Sequence, residues 1–372
     1  MTGNNDANKP AAEREYDPNK PNAERLATIA RRLVKCVKEC DTTRPVTAAL
    51  AFPELSNYTG LSEALDVVGY NYKEHLYEDD HKKYPGRVTY GSENGTSLEA
   101  WLAVRDNDSV CAQFIWTGID YMGEAKGWPV RAASAGFLDL AGFKKTSYYF
   151  RQSLWSREPV VYLAAERIDE AVVSDKGRRS DGHPHWNWKK GERLKIYCYT
   201  NGEEAELLLN GESLGTGRLT DSDTGYLSWE LDYAEGALTA VAKGQDGVLH
   251  SCELHTTIEP VRLEMNVDAL ELKADGQDIA HVEIRINDLA GRSVYSADHS
   301  IKLSIEGPGE IIGLENGDVQ DLEPYSSLVR RVYRGKLLAY IRTKTKEGKI
   351  VVTAEAQQLE SAQIELVSSK EK

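Results

Sequence analysis

Glu93 is the residue of this chain best placed to do chemistry. It closes the stretch Arg87-Val-Thr-Tyr-Gly-Ser92, and small turn-forming residues, Asn94-Gly-Thr-Ser97, follow at once. A parallel barrel presents its reactive groups at the carboxyl ends of strands in this way. A glutamate held there could reach the anomeric carbon of a sugar. Retaining hydrolysis of a glycoside needs two carboxyl groups about 5 to 5.5 Å apart, one attacking and one donating a proton, and on a barrel they come from different strands. The plainer alternative is a solvated loop acid.

The neighbouring candidates are Asn71 and Tyr72, which end the segment Asp66-Val-Val-Gly-Tyr-Asn-Tyr72. On the same rim they could hydrogen-bond the carboxylate and a sugar hydroxyl; each also has an ordinary structural role open to it. Trp116 ends the next apolar run, Val110 to Thr117. It offers either an aromatic face for the C–H side of a pyranose or a core ring. Asp120, Tyr121 and Glu124 follow, and with Arg131 nearby a scaffold ion pair is expected there rather than catalysis. His183-Pro-His185 and Trp186-Asn-Trp188 lie at a change of domain, and two histidines without a third ligand point to packing. Cys36 and Cys40 stand four apart on a predicted helix, but no second pair completes a zinc set. The pairs Asn210-Gly211, Gly215-Thr-Gly217 and Gly307-Pro-Gly309 are turns rather than phosphate loops, because no helix start follows them. No cofactor and no metal are expected.

The elements that position these residues fall into three blocks. To about Lys20 the chain is polar and reads as a disordered or draped tail. From Asn22, a helix-capping type, Leu26, Ile29, Ala30, Leu33, Val34 and Val37 make an apolar helical stripe. Short apolar strands follow at Val46–Phe52, Asp66–Tyr72, Arg87–Ser92 and Val110–Thr117, with helices around Leu61–Leu65, Leu98–Arg105 and Thr146–Trp155. Alternating strands and helices predict a parallel sheet covered by helices, and four strands are half of an eight-strand (β/α)8 barrel, with two edges open. The expected domains are the tail (1–21), this half-barrel (22–158), a linker and small antiparallel β-sandwich (159–258), and a second, immunoglobulin-like sandwich (259–372). The sandwiches rest on alternating short strands and turn signals, the Asn210-Gly211 hairpin the clearest.

Composition limits the partners. The chain has 372 residues, with 45 basic and 59 acidic side chains giving −14. That surplus repels phosphate backbones and anionic membranes, so nucleic acid and membrane partners are not expected. The first twenty residues carry no apolar stretch to serve as a leader, which points to the cytoplasm if Met1 is the native start.

From about residue 20 onward the chain resembles family 2 glycoside hydrolases, the β-galactosidase group. The resemblance rests on Arg44-Pro-Val-Thr47, Asp66 to Tyr72, Gly91-Ser-Glu93, Phe114-Ile-Trp-Thr-Gly-Ile-Asp-Tyr-Met-Gly-Glu124, Tyr148 to Trp155 and Asn201-Gly-Glu-Glu-Ala-Glu-Leu-Leu-Leu-Asn-Gly211. It implies the second half of the catalytic barrel followed by two β-domains, with Glu93 as nucleophile and Asn71, Tyr72 and Trp116 lining the sugar site. The family's acid/base glutamate follows an asparagine, and no Asn-Glu pair occurs here. The resemblance therefore implies a retaining β-glycosidase, with carbohydrate as substrate, whose proton donor lies upstream, and little activity in the isolated chain. Its partner would be the missing N-terminal half or further copies of itself. Two other readings are a non-catalytic carbohydrate-binding scaffold and a subunit that completes a split enzyme.

Overall fold

The structure is a computed structural model that describes residues 22–168, 182–244 and 247–370. The expected tail lies outside them. The described residues form two compact units, one ending at Trp116 and one beginning at Thr117.

The first unit alternates helix and strand: α1 (Arg25–Cys40), β1 (Thr47–Leu50), α2 (Pro53–Thr59), β2 (Val67–Asn71), α3 (Tyr77–Lys83), β3 (Thr89–Asn94), α4 (Leu98–Arg105) and β4 (Val110–Ile115). The strands pair in parallel in the order β1-β2-β3-β4. One face packs on helices through Leu50, Val68, Tyr70, Tyr77 and Val110. Local chemistry sets the helix starts. Ser97 Oγ accepts from Ala100 N at 3.2 Å to cap α4, and proline opens α2, where a missing N–H costs nothing. Asn22 is not the cap that its residue type suggests: Glu24 is the N-cap, the helix begins at Arg25, and Asn22 Oδ1 accepts from Glu24 N at 3.1 Å. Helix α3 has no apolar stripe to reveal it. Its sequence instead runs from acids in the first turn to bases in the last, matching the helix dipole.

Half of the apolar stripe of α1 is not used within the unit. Ala27 is buried, but Ile29, Leu33 and Val37 are 44, 59 and 45% exposed. The face of the sheet away from the helices is also open, with Val88 and Phe114 47 and 60% exposed.

The second unit opens with the hairpin β5 (Tyr121–Gly127) and β6 (Val130–Ala133), which no alternation in the sequence announces, and then α5 (Thr146–Trp155). Two sheets follow around a common core. They are β10-β9-β12-β13 and β11-β8-β7, from β7 (Val161–Arg167), β8 (Arg193–Thr200), β9 (Glu204–Leu209), β10 (Glu212–Arg218), β11 (Leu227–Asp232), β12 (Ala237–Lys243) and β13 (Leu249–His255). A second pair is β14-β16-β20-β18 and β15-β22-β21-β17-β19, from β14 (Pro260–Val267), β15 (Glu271–Lys273), β16 (Ile279–Asp288), β17 (Ser300–Glu306), β18 (Gly309–Glu315), β19 (Val329–Arg331), β20 (Lys336–Thr343), β21 (Gly348–Ala356) and β22 (Ala362–Ser369). This last pair is not wholly antiparallel: β15 runs parallel to β22, a three-residue edge strand too short to show as alternation. Strand β18 also escapes the pattern, because a bulge between Ile311 and Gly313 breaks its period of two. All five cysteines are free thiols.

Candidate active site at the carboxyl end of β3

A bulge in β3 decides where Glu93 points. Tyr70 of β2 pairs with Gly91, yet Asn71 pairs with Glu93, so Ser92 is an extra residue. Against β4 the same excess appears, Gly91 opposite Gln113 and Asn94 opposite Ile115. Strict alternation would send Glu93 toward the helices. The bulge instead turns Ser92 and Glu93 both to the open face, where Asn71 also lies, and returns Asn94 to the helix side.

The contacts agree. Asn71 Nδ2 donates to Glu93 Oε2 at 3.2 Å, and Ser92 Oγ donates to Asn71 Oδ1 at 3.0 Å. Tyr72 N donates to the Glu93 carbonyl at 2.7 Å. Tyr72 holds a left-handed backbone, φ +52, and is 42% exposed. On β4, Phe114 meets Tyr90 edge-on at 5.7 Å on the open face, and Trp116 directly follows the last strand residue, Ile115. Trp116 N donates to the Asn94 carbonyl at 3.2 Å. The four expected residues, Glu93, Asn71, Tyr72 and Trp116, thus share the carboxyl end of three adjacent strands.

Behind the rim, Asn94 is fully buried and its Nδ2 donates to Glu74 Oε1 at 2.8 Å and to Tyr77 Oη at 3.2 Å. Burial pushes the Tyr77 phenol up to about 12, and its oxygen accepts because the Asn94 NH2 can only donate. Gly91 is required by this packing: a Cβ there would stand 1.8 Å from Asn94 Oδ1 and 2.8 Å from Tyr77 Oη. Sequence reasoning passed over Ser92, Asn94 and Glu74. The available signal was Gly-Ser-Glu-Asn-Gly, a strand end with polar residues at three successive positions, which period-two alternation cannot satisfy.

The other candidates resolve as structure. Asp120, 5% exposed, pairs with Lys145 Nζ at 2.8 Å and accepts from Gly136 N at 2.8 Å. Its partner is therefore not Arg131, whose guanidinium lies 5.2 Å over the Tyr325 ring. The separation in sequence hid Lys145, which the turn at residues 136–145 brings back. Tyr121 Oη donates to Glu124 Oε2 at 2.6 Å. Trp186 is fully buried, and His185 stacks on Trp188 at 4.6 Å and lies 4.8 Å from Tyr295. Burial first, then His183 and Arg334, lowers the His185 pKa to about 4. Among the described residues no cluster of three or more His, Cys, Asp or Glu side chains could hold a metal ion, and no helix is long and apolar enough to cross a membrane.

Comparison with known proteins gives this arrangement its context. Residues 263–365 match the family described as glycoside hydrolase family 2 C-terminal domain 5, and residues 191–249 match a domain of unknown function, DUF4982. A crystal structure of a glycosyl hydrolase family 2 member from Bacteroides cellulosilyticus superposes with a TM-score of 0.85 at 31% identity, over 95% of this chain and 48% of that one. The chain corresponds to the C-terminal part of glycoside hydrolase family 2. The curated β-galactosidase BoGH2A of Bacteroides ovatus is 29% identical over 91% of this chain and 43% of its own length. A β-glucuronidase of Formosa agariphila is 24% identical over 47% of this chain and 16% of its own. The chain spans less than half the length of these relatives.

Proposed function

We propose that this chain carries the nucleophile half of a retaining β-glycosidase active site, with Glu93 as the attacking group. The observation that supports it is the bulge, which costs ladder hydrogen bonds and yields one carboxylate turned to the open face and held there by an amide. In this reading the Asn71 amide fixes Oε2 and leaves Oε1 to attack the anomeric carbon. The C1–O bond to the leaving group breaks as the ester bond to Glu93 forms, and water then releases the sugar with its β configuration retained. Tyr72 and Trp116 line the sugar, Trp116 by its ring face.

The four parallel strands are half of a (β/α)8 barrel in this reading, and the last β-domain is its immunoglobulin-like appendage. The uncovered stripe Ile29–Leu33–Val37 and the open sheet face support a further set of βα units against them. The proton donor comes from those units, since no Asn-Glu pair occurs in the 372 residues. General acid assistance is worth on the order of 10²–10⁴ in rate, so these residues alone hydrolyse poorly.

The test is hydrolysis of aryl β-galactoside, β-glucuronide and β-mannoside by this chain and by a form extended upstream. The extended form should turn over one of the three, and Glu93→Gln should abolish that turnover. Turnover that survives Glu93→Gln would refute the assignment.

A further inference from the structure

We propose that Ser92 is a positioning residue for Glu93, acting through the Asn71 side chain; this rests on Glu93 being the nucleophile. An asparagine presents an acceptor oxygen on one side and a donor NH2 on the other, and only the NH2 can face a carboxylate without repulsion. The acceptor-only Glu93 carboxylate turns the NH2 toward itself, and Ser92 completes the arrangement by holding the amide oxygen. Its hydroxyl donates to Asn71 Oδ1 at 3.0 Å, while the Nδ2 of the same amide donates to Glu93 Oε2 at 3.2 Å. The bulge is what allows one amide to span both residues, because Ser92 and Glu93 are consecutive and yet face the same way.

Gly69 of β2 completes the device. A Cβ at Gly69 would stand 2.8 Å from Ser92 Cβ and 2.9 Å from Tyr90 Cε1, so Ser92 rests directly on the β2 backbone, two residues before Asn71. Without the hydroxyl, Oδ1 loses its donor and the amide is held from the Glu93 side alone. The carboxylate then loses its fixed orientation, and the reactive pose becomes one of several.

Ser92→Ala should lower the rate of covalent labelling by a 2-deoxy-2-fluoro β-glycoside by up to about tenfold, the upper end of what one neutral hydrogen bond contributes. KM should stay within roughly twofold, since no sugar contact is removed. Ser92→Thr keeps the hydroxyl and should recover most of the rate. The decisive comparison is a cycle with Asn71→Ala, measured in the catalytically complete protein. If Ser92 works through Asn71, Ser92→Ala costs nothing further once Asn71 is alanine. Losses that multiply, or a folded Ser92→Thr variant as slow as Ser92→Ala, overturn the proposal.

A second readout needs only the present chain. The Asn71 side-chain amide protons should be protected and separately resolved by ¹⁵N spectroscopy, and Ser92→Ala or Gly69→Ala should collapse that protection. Unchanged amide signals overturn the relay. Label found on a carboxylate other than Glu93 in the wild type overturns the nucleophile reading instead, so the two failures are told apart.

Discussion

Gly91→Ala tests whether the helix side of β3 is as tightly determined as its packing implies. The new methyl would occupy the space of Asn94 Oδ1, 1.8 Å away, and no rotation of a backbone-fixed Cβ relieves that. Asn94 must leave its site, losing a bond to the Glu74 carboxylate worth about 1.5–3 kcal/mol and one to Tyr77 worth about 0.5–1.5 kcal/mol. Overpacking adds about 1–3 kcal/mol. Allowing for partial relaxation, the variant should destabilise the first unit by about 3–5 kcal/mol. Hydrogen exchange resolved by peptide would show amides of β2, β3 and β4 exchanging roughly 10²–10⁴ times faster, with β16 and β20 unchanged. In an Asn94→Ala background the 1.8 Å clash is gone and only the 2.8 Å approach to Tyr77 Oη remains, so Gly91→Ala should then cost well under half of what it costs in the wild type. Two substitutions whose costs simply add would refute the packing argument.

Other consequences concern the second unit. Lys145→Met leaves the buried Asp120 carboxylate without its cation and should cost about 3–5 kcal/mol in urea unfolding. Burial raises the Asp139 carboxyl to about 6, so its neutral form supports the fold below the unfolded value near 3.9 and that support is lost as pH rises through 6. Asp139→Asn should therefore raise Tm at pH 7 relative to pH 5. His185 works in the opposite sense: neutral in the fold down to about 4, it gives full support above the unfolded value near 6.5 and loses it as pH falls toward 4. His185→Gln should flatten the acid limb of the Tm profile.

How much of this was legible depends on whether local pattern and tertiary need agree. Helices α4 and α5 begin and end where the sequence places them, and Glu93, Asn71, Tyr72 and Trp116 gather at one rim because strands in a parallel sheet all end at the same side. The bulge left only an indirect trace, three successive polar positions at the strand end, which alternation cannot satisfy but which a turn explains equally well. Neither α3, which lacks an apolar stripe, nor the β5–β6 hairpin, whose first strand is exposed at nearly every position, was legible. Ser92 and Asn94 look like loop residues in the sequence, and only the reversal of facing at the bulge gives them separate duties. The stripe of α1 was legible as apolar but not as half-covered, because a hydrophobic pattern shows that a face is to be buried without showing by what.

The central claim is that Glu93 forms the covalent bond to the sugar. Incubating the catalytically complete protein with a 2-deoxy-2-fluoro β-glycoside, digesting it and sequencing the modified peptide by mass spectrometry reads that bond directly. The account predicts one sugar per chain, on Glu93, within the peptide spanning β3. A label on any other side chain, or steady turnover with no covalent adduct, would contradict it.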